Sequence, residues 1–241
     1  MHLARAILCL SAALLPSTNS LPVDSQELLS APNAAPEEPI SIPSRYTSTL
    51  LGRRLLASSP TGVLSTVFPA HLNSSTHRPP PDLASTPIAL PDYIADCEDD
   101  GNPTVIALSV STSTRNALAG SNVSLAVSWW DAYSRLMGRR PWSAANLPRA
   151  SLIGYLERMG DAEVEEKGIV ECYTTLHPDS RLWLPGDKDA AHKGFWMRMV
   201  VQEVYWVGGF GDRNYIGWFD IEEWRDVGRQ DWERVKLPGE K

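Results

Sequence analysis

No stretch of this chain is apolar for long enough to cross a bilayer as a helix: the most apolar, residues 6–16, is about half of the roughly 20 residues that a span requires. Basic charge is scarce as well. Lys and Arg number 22 against 29 Asp and Glu, the net charge is −7, and no dense Lys/Arg run occurs, which argues against a general phosphate-backbone partner such as nucleic acid. The familiar catalytic signatures are missing: there is no GxSxG elbow, no HExxH, no Walker lysine and no CxxC pair. Gly208-Gly209-Phe210-Gly211 lacks the GxGxxG spacing and leads into a strand pattern, so it reads as a hairpin turn and not as a phosphate loop. Histidine is sparse too. Beyond the first segment only His71, His77, His177 and His192 remain, and their spacing to Asp179, Asp187 and Asp189 builds no metal site.

What is present begins with an address. Arg5, the apolar residues 6–16 and the small polar residues 17–20 have the outline of a signal peptide, which predicts entry to the secretory pathway and a soluble mature protein outside the cell or in a vacuolar or lysosomal lumen. Cleavage after residue 20 removes only Arg5 among the charges, leaving 21 basic against 29 acidic residues, or −8. Two sequons suit that compartment, Asn73-Ser74-Ser75 and Asn122-Val123-Ser124. Cys9 leaves with the signal, so Cys97 and Cys172 stand in a place that permits disulfides. Sequence alone leaves two readings, a bond between them or two separate buried thiols.

Proline and tryptophan divide the remainder. Twelve of nineteen prolines fall between Pro22 and Pro91, and residues 21–44 read as a disordered arm. All nine tryptophans lie between Trp129 and Trp232, which places the folded mass toward the C-terminal side of a single domain spanning residues 45–241. Residues 47–57 carry Leu50, Leu51, Leu55 and Leu56 at helical spacing, with Arg53 and Arg54 expected opposite, on the solvent side. Residues 62–68 read as a strand and 69–86 as a long surface loop. From residue 103 the period becomes two: Ile106, Leu108 and Val110 alternate with smaller residues, as expected of a strand with one buried face. In 122–130, Val123, Leu125, Val127 and Trp129 share a face, leaving Asn122 on the other. The intervening 111–120 suits a turn or short helix.

Residues 151–158 form a further strand pattern and 161–166 an acidic, solvated loop. The run 195–207 is β-prone and apolar on nearly both faces; with the turn at 208–212 and a second strand at 215–219 it makes a hairpin that must be central in a barrel or lie at a subunit interface. Asp220 and Glu223 resemble a capping box opening a last helix through Trp224. The one polar constellation suited to a ligand is 109–116, where Ser111, Ser113, Arg115 and Asn116 offer hydroxyls and a guanidinium at a strand end, able to hold phosphate oxygens. A solvated turn is the competing reading.

Several blocks in order, Tyr93 to Cys97, Gly101-Asn102-Pro103, Arg115-Asn116 with Gly120-Ser121-Asn122, Leu147-Pro148-Arg149 with Ser151 to Gly154, His177-Pro178-Asp179, Trp183 to Gly186, and Glu203 to Arg213 through Tyr215 to Trp218, resemble the CREG family, secreted relatives of pyridoxamine 5'-phosphate oxidase. The resemblance covers about residues 45–228. It implies a mainly β (α+β) fold: a six-stranded antiparallel FMN-binding split β-barrel of Greek-key type with short flanking helices, usually a homodimer with an ancestral FMN site at the dimer interface. In the oxidase relatives a Ser-Arg-Lys stretch grips the flavin phosphate. The matching positions here are Ser113, Arg115 and Asn116, so the lysine's charge is missing, and one lost charge-assisted contact costs about 1.5–3 kcal/mol. The resemblance therefore implies a non-catalytic glycoprotein that binds a receptor or small ligand and carries no cofactor. The rival expectation is an FMN-dependent oxidoreductase, and a different small ligand in the same pocket is a third.

Protein collected from a secretory host is expected to lose mass on N-glycosidase treatment, with Asn122→Gln removing one step of that loss. An unchanged mass in intact-protein mass spectrometry would contradict the compartment read from the first twenty residues.

Overall fold

The computed structural model describes residues 41–71 and 80–241. The expected signal segment, most of the proline-rich arm, Asn73 and His77 lie outside the described residues.

Seven strands build one antiparallel sheet: β1 (Thr61–Val67), β2 (Pro87–Tyr93), β3 (Thr104–Leu108), β4 (Val123–Ser128), β5 (Arg149–Arg158), β6 (Gly194–Val207) and β7 (Ile216–Trp218). Six run in the order β2-β1-β4-β5-β6-β3, and β7 pairs with β6. β3 takes residues 194–198 of β6 and β7 takes 205–207, so the sheet splits along that flank of its longest strand. The two ends of the six-strand path meet where Ala95 and Thr104 exchange backbone hydrogen bonds of 3.1 and 2.7 Å, which curls the sheet into a half-closed barrel.

The helices are α1 (Arg45–Ala57), α2 (Thr112–Leu118), α3 (Trp130–Met137), α4 (Asp161–Glu166), α5 (Ile169–Leu176), α6 (Ile221–Asp226) and α7 (Arg229–Trp232). Two apolar clusters result. The main one fills the concave face of the sheet with Leu55, Leu125, Leu152, Met199, Val201, Trp206 and Trp224. The smaller one, Ile106, Met159, Val164, Ile169, Tyr173 and Trp196, lies on the opposite face under α4 and α5. Thus the first half of β6 is covered on both faces within a single chain, with Met197 in one cluster and Trp196 in the other. Its second half is not: Glu203 and Tyr205 are exposed opposite buried Val204 and Trp206.

Several local expectations are corrected. The acidic stretch 161–166 is not a loop but α4, whose Val164 is buried under an otherwise polar turn. β3 is buried on both faces rather than one, because α5 packs behind it, and Val110 lies beyond its end. β2 follows the expected loop, where the sequence reading assigns no element, since two prolines at its first and fifth positions hide an edge strand. Arg53 does not face solvent. It is fully buried, because α1 is covered on most of its circumference.

Arg53 joins three distant segments. Its Nη1 donates to the carbonyls of Trp224 at 2.8 Å and Val227 at 2.5 Å, its guanidinium lies 5.4 Å from the Trp224 ring centre, and Nη2 sits 3.5 Å from Asp96. Asp96 is also buried, and its carboxylate oxygens accept no side-chain hydrogen bond within the described residues. Burial, opposed by Arg53 and reinforced by Asp100 and Asp99, pushes its pKa up to about 6. Gly101 completes the junction: at φ +80° its position opposes Trp224 so closely that a Cβ would lie 2.3 Å from the indole nitrogen.

A β-bulge lies in the β5–β6 ladder between Ile153 and Gly154. Gln202 is the additional residue on β6, since Ile153 faces Glu203 while Gly154 faces Val201. On the other flank of β6, between the stretches that β3 and β7 take, the Val201 groups are caught from outside the sheet, the N–H by Asn102 Oδ1 at 2.8 Å and the carbonyl by Arg225 Nη2 at 3.2 Å. A Cβ on Gly154 would fall 1.9 Å from the Val200 carbonyl oxygen. The disulfide reading also resolves: Cys97 and Cys172 are joined, tying α5 to the segment that follows β2. Closing a loop over a separation of 75 residues stabilises by about 4 kcal/mol in the chain-entropy picture.

Two outcomes follow for stability. Gly154→Ala should lower the denaturation free energy by roughly 1–3 kcal/mol, because a backbone oxygen cannot move aside as a side-chain tip would; an unchanged denaturant midpoint would remove the close approach from the account. For Asp96, a folded pKa raised from 3.8 to about 6 gives a contribution fully present below the unfolded value and lost as pH rises through 6. Urea midpoints measured between pH 4 and 7 should therefore carry an acid-favouring component that Asp96→Asn removes, and identical slopes for both proteins would contradict it.

Candidate functional site

The outer face of the sheet carries a trough. Along β4 the outward residues are Ser124, Ala126 and Ser128, and along β5 Arg149 and Ser151, so side chains in the middle of the sheet are short. Longer ones rise around them: Val63 from β1, Trp130 at the start of α3, Tyr205 and Val207 from β6. The resulting trough is about 420 Å³ and mostly apolar. Arg149 lies 5.8 Å from the ring centre of Trp130 and donates to the carbonyls of Ala145 and Leu147, which holds the one cation at its margin in place. The apolar surface continues onto β7, where Trp218, half exposed, has its ring 5.0 Å from that of Tyr205, and Ile216 is 41% exposed.

An exposed, contiguous apolar face with a shallow hollow of small side chains is suited to a flat ligand or to a second protein surface. Its polar chemistry is two serine hydroxyls, the Tyr205 phenol, the Trp130 indole N–H and the Arg149 guanidinium, and among the described residues no carboxylate, histidine or thiol lines it.

The sequence-derived phosphate set lies elsewhere. Ser111 precedes α2, while Ser113 and Asn116 on that helix are buried, 3% and 4% exposed, against the strand layer. The Asn116 amide donates to Thr66 Oγ on the inward side of β1 at 3.0 Å, so it is engaged in holding the helix. Arg115 is half-buried on the remaining side. Ser111, Ser113, Arg115 and Asn116 thus adjoin one another in chain and helix but do not present a common donor cradle, and none lines the trough. As they stand in one chain these residues do not fit a flavin phosphate, and no step is drawn through that group.

Among the other candidates, Asn122 is exposed at the head of β4, on the side away from the core, open to a glycan. His177 is 4% exposed, donates to the Ile94 carbonyl at 2.9 Å and stacks on Tyr93 at 4.4 Å, which makes it part of the packing. Tyr93 in turn donates to Asp179 at 2.9 Å, and that bond raises the pKa of the phenol. Among the described residues no three His, Cys, Asp or Glu side chains converge as metal ligands, and no helix is long and apolar enough to cross a membrane. The trough itself escaped sequence reading. The alternation of Ser124, Ala126 and Ser128 was the available signal, but small residues on an outward face look the same whether or not a neighbour stands over them.

Comparison with known proteins agrees with this architecture. No curated protein matches the chain by sequence. Among solved structures, a heme binding protein from Mycobacterium smegmatis superposes with a TM-score of 0.52 at 18% identity, covering 77% of this chain and 62% of that one. A protein of unknown function from Agrobacterium tumefaciens str. C58 gives 0.49 at 22% identity, covering 72% and 63%. A putative pyridoxamine 5'-phosphate oxidase from Listeria innocua gives 0.42 at 12%, covering 67% and 98%. This chain therefore spans less than two thirds of the first two, and the likeness to the Mycobacterium smegmatis protein, at 18% identity, is one of fold. The model of the CREG beta-barrel family matches residues 43–226. With three quarters of its length matched in this way and a half-closed antiparallel barrel to go with it, the chain belongs to the CREG beta-barrel family.

Proposed function

We propose that this protein is a secreted or vacuolar glycoprotein that uses its split barrel as a non-catalytic binding scaffold and pairs with a second copy of itself through the outer sheet face. The observation that carries the reading is the trough with its apolar rim: Val63 on β1, Tyr205 on β6, and Ile216 and Trp218 on β7 are each more than a third exposed, on either side of β4 and β5 side chains too short to cover them. Burying such a face removes apolar area from water at about 25 cal/mol per Å², and a two-fold axis lets the same face serve both partners. A hollow remaining between the copies would be lined largely by hydrocarbon, with two serines, the Tyr205 phenol and the Arg149 guanidinium, suited to a flat apolar ligand.

A flavin-dependent oxidoreductase is the alternative, in which the cofactor supplies the hydride chemistry and the protein its position. The inward orientation of Ser113 and Asn116 weighs against it. Because one fold neighbour is described as a heme binding protein, heme stands beside FMN and pyridoxal phosphate among the ligands to offer.

Sedimentation of the secreted protein should give a dimer, and Tyr205→Arg with Val63→Arg should give a folded monomer. The same preparation should be colourless, and thermal unfolding with added FMN should show no rise in midpoint, since any ligand of the native state must raise it. A monomeric wild type would overturn the pairing. A yellow preparation, or an FMN-dependent shift, would restore the oxidoreductase.

A further inference from the structure

A second cavity, of about 630 Å³, opens at the far end of the β5–β6 ladder from the trough, a separation of about 30 Å along β5 at roughly 3.3 Å per residue. The two cavities share no lining residue. Its floor is apolar: Met159 and Trp196 are 3% and 6% exposed, with Val164 of α4 and Phe195 of β6 beside them. Arg158, at the end of β5, lies over the Phe195 ring at 4.3 Å, and Lys193 approaches the same ring at 5.7 Å. Lys188 stands on the loop above.

These cations differ from their neighbours. Arg198 and Lys167, on the same side of the fold, are both paired with Glu98 and Glu163. Arg158, Lys188 and Lys193 have no carboxylate partner among the described residues, although the chain carries a net charge of −7 and carboxylates are in excess. Two carboxylates do line the cavity, Asp161 at the start of α4 and Asp187, and the latter accepts from the Asp189 N–H at 2.9 Å. His192 completes the rim. Three cations, Arg158, Lys188 and Lys193, against two carboxylates leave one positive charge over a hydrocarbon floor.

We infer that this cavity is a binding site, separate from the outer sheet face, for a small amphipathic anion: a planar apolar body bearing one carboxylate, sulfonate or phosphate. The volume lies within the roughly 300–1,000 Å³ of small-molecule sites. The apolar body lies on Met159, Val164 and Trp196 while the anionic group meets Arg158 and Lys193, whose positions the Phe195 ring already restricts. Little further ordering of those two side chains is needed on binding.

The test uses the full secreted protein and the dye 1-anilinonaphthalene-8-sulfonate, which has this chemistry, with N-phenyl-1-naphthylamine as its uncharged counterpart. Saturable binding of one sulfonate dye per chain is expected, with the neutral dye weaker. Because Arg158 and Lys193 are exposed, the double variant Arg158→Ser/Lys193→Ser should keep its thermal midpoint while losing at least about tenfold to a hundredfold in dye affinity, the effect of losing one of the two charge-assisted contacts. Arg158→Lys/Lys193→Arg should retain most of the affinity, and Val63→Ser in the trough should leave it unchanged. 2-Naphthoate should displace the dye and inorganic phosphate at equal concentration should not. Equal affinity for the two dyes, wild-type affinity in the double serine variant, displacement by phosphate alone, or loss of binding in Val63→Ser would each overturn the inference. The last would place the dye in the trough, and none of these results bears on whether the protein dimerises.

Discussion

A single buried guanidinium holds the two ends of the chain to the middle. Arg53 comes from the first helix, Asp96 and Gly101 from the connection between β2 and β3, and the carbonyls of Trp224 and Val227 from the last helices. Removing one partner of such a buried pair costs about 3–5 kcal/mol, more than most single contacts, because the charge left behind has no water to return to. The arrangement is also incompletely satisfied. Nε and Nη2 of Arg53 and both oxygens of Asp96 make no close hydrogen bond within the described residues, which is consistent with the raised Asp96 pKa.

From that junction the geometry of the sheet follows in steps. The loop that Arg53 organises supplies Asn102, and Asn102 caps the β6 amide at the bulge. The last helices, fastened by the same residue, supply Arg225 for the matching carbonyl. The bulge adds one residue to β6, so the inward positions pass from Met197, Met199 and Val201 to Val204 and Trp206, while the outer face is covered by α4 and α5 at one end and open to solvent at the other. One long strand thereby serves two ends with different surroundings, a covered end beside the cationic cavity and an open end beside the trough.

The alternation in β4, the presence of a strand at β5, the central place of β6, the Asp220 cap and the family blocks were all legible in the sequence. Asp220 accepts from the N–H groups of Glu222 and Glu223 as its position suggested, yet Glu223 does not reach back as a capping box would. It accepts instead from Thr49, at 2.6 Å, and from Arg45 on α1. The candidate ligand residues fared differently from the strands. Ser113 and Asn116 have the right chemistry for phosphate, but the rotation of α2 about its axis turns them toward β1, and nothing within a seven-residue segment specifies that rotation.

By itself the sequence determined the places of β1, β4, β5 and β6 and of the first helix, the inward face of β4, the sign of the charge and the family, because each of these is written in the order of neighbouring residues and their period. The tertiary structure alone decided that Arg53 is buried, that Cys97 meets Cys172, that Asn102 serves a strand about a hundred residues away, and that two cavities flank the β5–β6 ladder. Those facts depend on which distant segments arrive together when the sheet curls, and a residue's type does not encode the company that chain closure brings to it.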